Sequence, residues 1–119
     1  MGFDAVRDLA GLPPEILLVP LPGHTCGHGG VAIDTGSGWL LYCGDAYFYH
    51  GEVGRKKPKC PPGMAFYQTM MEVDRAARVS NQQRLRRLSL ERRGEITLLC
   101  AHDRVEYDRI RYAVRRSPA

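Results

Sequence analysis

The chain has 119 residues, 44% hydrophobic and 25% charged, with a formal net charge of +4. That is enough for one domain and too little for two, and the composition is that of an ordinary globular protein rather than a disordered one. The longest uncharged run, Ile16 to Ile33, is broken by two prolines, four glycines and two histidines, which excludes a membrane span there.

The start of the chain has no basic stretch followed by an apolar one, so no leader is expected and the expected location is cytoplasmic. Cys26, Cys43, Cys60 and Cys100 show no CxxC spacing and read as reduced thiols, with Cys43 and Cys100 inside apolar runs as small core residues. Residues 1–50 carry one basic residue, Arg7, and the remaining sixteen fall in residues 51–119. No aromatic residues interleave with Arg84, Arg86, Arg87, Arg92 and Arg93. They read as a solvated helix face, and nucleic acid is not an expected partner.

In chain order, residues 1–14 end in Gly11-Leu12-Pro13-Pro14, which punctuates the entry to a first apolar strand at 15–20. A glycine- and histidine-rich loop follows, then a strand near 30–35, the turn Gly36-Ser37-Gly38, and an antiparallel return at 39–44. Residues 51–63, with Arg55, Lys56, Lys57, Lys59 and three prolines, read as an irregular loop. A helix is expected from Met64 to about Val79. A second is expected from an N-cap at Ser80, boxed by Gln83, to Arg93, with Gly94 as its stop. A last strand at 95–101 and a last helix from Val105 to Val114 complete the set. Nearly continuous apolar strands imply a sheet covered on at least one face.

Three of these strands run directly into a candidate metal ligand, at Pro22-Gly23-His24-Thr25, Gly44-Asp45-Ala46 and Ala101-His102-Asp103. Ligands on loops at one edge of a sheet can converge, and imidazole with carboxylate suits zinc, iron or manganese. A lone histidine after a strand is more often a satisfied structural residue than a ligand. The strings themselves are more specific. Leu21-Pro22-Gly23-His24-Thr25-Cys26-Gly27-His28 resembles the Pro-Gly-His-Thr-x-Gly-His motif of the metallo-β-lactamase superfamily. Gly44-Asp45-Ala46 and Ala101-His102-Asp103 resemble its two following motifs.

The resemblance implies the C-terminal half of an αββα sandwich: one mixed or antiparallel sheet with helices on one face, in a single truncated domain over residues 1–119. It implies that His24 ligates a first metal, that Asp45 bridges two, and that His102 ligates the second. It casts Thr25, His28, Tyr47 and Phe48 as supporting or pocket residues, with His28 shaping the loop rather than binding metal. His50 matches no ligand of the family. Family members carry His-x-His-x-Asp-His upstream, and this chain has no histidine before His24.

The resemblance therefore implies part of a metal-dependent hydrolase acting on an ester, thioester, lactone or amide, inactive alone and binding zinc or another divalent metal weakly or not at all. An aspartate at the bridging position fits glyoxalase-II-like or lactonase-like members better than lactamases with cysteine there. The alternative is a non-catalytic dimeric domain that binds a ligand or partner. The expected partners are a second copy through an exposed sheet face, or the complementary N-terminal half, with no membrane.

Overall fold

Each apolar run forms a strand, and the strands lie side by side in chain order in one mixed sheet of five. The computed structural model describes residues 7–116, with side chains through 113. The strands are β1 (Arg7–Asp8), β2 (Ile16–Pro20), β3 (Gly29–Asp34), β4 (Trp39–Gly44) and β5 (Ile96–Cys100), and the helices α1 (Pro62–Met71), α2 (Arg75–Glu91) and α3 (Arg104–Arg116). The Gly36-Ser37-Gly38 turn joins antiparallel neighbours, with Asp34 opposite Trp39, whereas β4 and β5 pair in parallel. The chain passes between those two parallel strands through α1 and α2, as a parallel crossover requires. The short strand β1 has no antecedent in the sequence reading. The start of the 1–14 segment and the Val114 side chain lie outside the described residues.

The sheet's two faces differ. One row, in register, is Leu17, Ala32, Leu41 and Leu98, and with Val19, Cys43 and Cys100 it packs against Leu85 and Leu88 of α2 and against Tyr47. Cys43 and Cys100 are core residues, as expected. Because side chains alternate across a strand, the opposite face carries Ile16, Leu18, Val31, Ile33, Leu40, Tyr42 and Leu99, paired across strands and half-buried or exposed. An apolar face of this kind is the one the sequence left without a cover.

The helix boundary between α1 and α2 departs from expectation. The break falls at 72–74, and Ser80 with Gln83 lies inside α2. Asp74 is the N-cap, its carboxylate accepting from the Ala77 N–H at 3.0 Å. The capping-box signal at Ser80 is local and loses to tertiary hydrogen bonds. The Val73 and Asp74 N–H groups both donate to the Gly23 carbonyl at 2.9 Å, which fixes the start of α2 against the histidine loop. Gly23 is obligatory there: a Cβ would lie 2.6 Å from the Arg78 backbone.

Candidate metal site

The three expected ligands stand together at the ends of β2, β4 and β5. His24 Nε2 lies 3.4 Å from Asp45 Oδ2, and His102 Nε2 lies 2.7 Å from Asp45 Oδ1. Asp45 Oδ1 is closed off from solvent, yet the His102 approach does not have hydrogen-bond geometry and leaves that oxygen without a partner. A buried carboxylate oxygen facing an imidazole nitrogen without a proper hydrogen bond is a donor arrangement suited to a cation. The donor set is nitrogen, oxygen, nitrogen, which fits a borderline divalent metal. It is incomplete: among the described residues no three acid, thiol or imidazole groups are arranged to hold an ion by themselves.

The loops are held by main-chain and side-chain hydrogen bonds that fix where each candidate ligand starts. The Ala101 N–H donates to the Gly44 carbonyl at 2.8 Å, joining the His102 turn to the Asp45 loop. His28 places its Nδ1 2.8 Å from the Leu21 carbonyl and accepts the Asp45 N–H on Nε2 at 2.9 Å. Its tautomer follows: Nδ1 carries the proton. Both ring nitrogens are engaged within the protein, which supports a loop-shaping role rather than a ligand role. Thr25 is exposed and contributes its carbonyl, which accepts from the Gly23 and His28 N–H groups. Gly44, at φ +57°, leaves room for the His28 ring; a Cβ would come within 2.8 Å of Nε2.

Tyr47 and Phe48 diverge. Tyr47 is fully buried, with its hydroxyl donating to the Glu106 carboxylate at 2.7 Å, so it braces the core rather than lining a substrate cleft. Phe48 packs its ring against both His24 and His102, at centroid distances of 6.0 and 4.9 Å, and forms an apolar wall beside the ligands.

Three acidic residues that the sequence did not single out organise these loops. Glu106, on the first turn of α3, accepts from Tyr47 and from the Cys100 N–H at 3.0 Å, and so ties the loop after β4 to the end of β5. Burial pushes its carboxyl above the ordinary value, and the hydrogen bonds from Tyr47 and Cys100 offset only part of that. Asp103 caps α3 by accepting from the Val105 and Glu106 N–H groups, and it holds both the backbone N–H and the ring Nδ1 of His50. Burial alone would raise the Asp103 carboxyl, but those hydrogen bonds outweigh it and hold the group below the usual carboxylate range. His50 is thus half-buried and engaged with Asp103. Glu52 accepts from the Phe48 and Tyr49 N–H groups. Beneath the site, α2 donates from Asn81 to the Pro22 carbonyl and from Gln82 to the Ala46 carbonyl, at 2.8 and 3.0 Å. The one sequence signal for these residues was weak: Asp103 directly follows a candidate ligand.

No family model matches the chain. It is 33% identical over 102 residues to a probable metallo-hydrolase of Mycobacterium bovis and, to the same degree, to one of Mycobacterium tuberculosis. That match takes in 86% of this chain, which spans only a third of the length of those relatives. Among solved structures, a variant of the Bacillus thuringiensis AiiA protein with N-decanoyl-L-homoserine at its active site superposes with a TM-score of 0.57. The identity is 18%, over 87% of this chain and 36% of that one. The fold is that of the metallo-β-lactamase superfamily. An N-acyl homoserine lactone hydrolase with product at its catalytic metal centre matches at the same TM-score. A hydrolase of the β-lactamase superfamily matches at 0.54 with 16% identity, over 81% of this chain and 30% of its own. The resemblance read from the three motifs therefore holds for the fold, and it holds for part of the fold.

Proposed function

We propose that the chain is the C-terminal portion of a metal-dependent hydrolase, that His24, Asp45 and His102 are its share of the metal ligands, and that hydrolysis requires the upstream ligands as well. The observation that carries this reading is the convergence of both imidazoles on the Asp45 carboxylate, at 3.4 and 2.7 Å. The similarity to probable metallo-hydrolases and to lactone hydrolases supports an ester, thioester, lactone or amide as the bond cleaved.

A divalent metal, when bound, supplies a water with its pKa lowered to about 7 and polarises the scissile carbonyl. This chain's residues prepare for that chemistry. His24 and His102 offer imidazole nitrogens, and Asp45 offers its carboxylate between them. His28 fixes the Asp45 main chain. Phe48 excludes water from one side of the imidazoles. A hydrolytic zinc site generally needs three protein ligands on one ion; three ligands shared between two ions fall short, so weak zinc binding and no turnover are expected of the chain alone.

The test is zinc titration calorimetry together with hydrolysis assays on a lactone, a thioester and an aryl ester. Each is run with the chain alone and with an added segment bearing His-x-His-x-Asp-His. Activity that requires both pieces and disappears with Asp45→Ala supports the reading. Activity that survives Asp45→Ala overturns the assigned site, and tight zinc binding by the chain alone overturns the incompleteness argument.

A second reading, a dimeric binding domain, draws on the open sheet face of Leu18, Val31, Leu40 and Leu99. A second copy or the complementary half of the fold would cover it.

A further inference from the structure

Helix α1 is amphipathic the wrong way round. Its buried residue is Gln68, 2% exposed, while Phe66, Tyr67, Met70 and Met71 are 47 to 67% exposed, followed by Val73 at 63%. Positions 66, 67, 70 and 71 recur at helical spacing and so share one side of the helix. The inward side is held by polar bonds. Gln68 donates to Glu52 Oε1 at 2.6 Å and accepts from Gln82 at 3.0 Å. The helix is therefore fixed in place without using its apolar side. Arg55, Lys56, Lys57 and Lys59 precede it, all exposed, and no acidic residue falls between Val53 and Met71. At its inner edge the surface continues through Tyr67 to Phe48, 5.8 Å away between ring centroids, and so adjoins the candidate site.

We propose that the segment from Arg55 to Val73 docks on an anionic lipid surface, with Phe66, Met70, Met71 and Val73 entering the headgroup boundary and the four cations lying on the headgroups. This goes beyond the hydrolase reading and does not depend on it. Glu72 lies within the segment but is ion-paired with Arg75 and Arg78, and Asp74 follows as the cap of α2. A one-sided apolar helix with four adjacent exposed cations is what interfacial binding needs: apolar burial supplies part of the affinity, and attraction to anionic headgroups supplies the rest. Met70, Met71 and Val73 offer aliphatic surface to acyl chains, and the exposed rings of Phe66 and Tyr67 suit the headgroup boundary. No described helix is long and apolar enough to cross a membrane, and docking in the plane requires none.

Co-sedimentation with vesicles tests this. The full chain is mixed with vesicles of phosphatidylcholine alone and with vesicles that also contain phosphatidylglycerol. The chain is expected in the pellet with the anionic vesicles only. Lys56→Glu with Lys57→Glu, and separately Phe66→Asp with Met70→Asp, are each expected to lower partitioning by about tenfold or more. All four side chains are exposed, and circular dichroism verifies that the variants remain folded. Absence from the anionic pellet, or binding that neither pair reduces, overturns the proposal. So does self-association that Phe66→Asp abolishes, which would assign the surface to a second copy. Retention of a single-stranded oligonucleotide in preference to the anionic vesicles overturns it in favour of nucleic acid.

Discussion

His28 and Asp45 are joined through the main chain, the imidazole Nε2 accepting the Asp45 N–H at 2.9 Å while Nδ1 faces the Leu21 carbonyl. One ring thus fixes the position of a candidate ligand on another strand's loop. Its removal leaves a part-buried donor and acceptor unpaired, at about 2 kcal/mol. His28→Ala is therefore expected to lower the urea midpoint clearly, whereas His102→Ala, at a side chain 54% exposed, is expected to change stability by less than about 0.5 kcal/mol. Equal losses in the two variants would remove the distinction between brace and ligand.

Glu106 carries a sign that can be checked. Its folded carboxyl titrates above the ordinary 4.5, because burial disfavours the charge. A carboxyl raised on folding contributes stability that is fully present below its unfolded value and is lost as pH rises through the folded one. Unfolding free energy measured from about pH 4 upward should carry this downward contribution in the parent and lose it in Glu106→Gln. Glu106→Ala, which also abandons Tyr47 and the Cys100 N–H, should cost about 2 kcal/mol or more at any pH. An unchanged pH slope in Glu106→Gln would refute the assignment.

Thiol reactivity should follow the core. Cys43 and Cys100 are buried, and burial raises both thiols well above the ordinary value. Cys60 is pushed up to about 11, first by burial and then by the Glu52 charge. Cys26 is exposed. Because the thiolate is the reactive form, iodoacetamide should modify Cys26 first, Cys60 slowly, and the other two only on unfolding, as read by mass spectrometry of a time course. Early labelling of Cys43 would contradict the packing of β4 on α2.

The open sheet face predicts association. Several hundred Å² of apolar surface at about 25 cal/mol per Å² amounts to roughly 10 kcal/mol, comparable to the whole stability of a small domain. Sedimentation at micromolar concentration should show a dimer, and Val31→Lys, on that face, should shift it to monomer without loss of secondary structure. A parent chain that is monomeric at all concentrations would rule this out.

The strands and the positions of the three candidate ligands were legible in the amino-acid order alone. Ile16–Pro20 is apolar throughout and Ile96–Cys100 is broken only by Thr97, and runs of this kind pack into a sheet that is covered on at least one face. The Gly-Ser-Gly turn left one short way back, and each candidate ligand is anchored to a strand end. Features set by groups far apart in the chain emerged only on folding. The α1–α2 break fell at Asp74 because the Gly23 carbonyl, fifty residues upstream, takes two N–H groups there. Asn81 and Gln82 turned inward on an arginine-rich helix because the carbonyls of Pro22 and Ala46 needed donors. Tyr47, Glu106 and Asp103 became braces because burial makes an unpaired polar group costly, and which partner satisfies it depends on packing that no local pattern encodes.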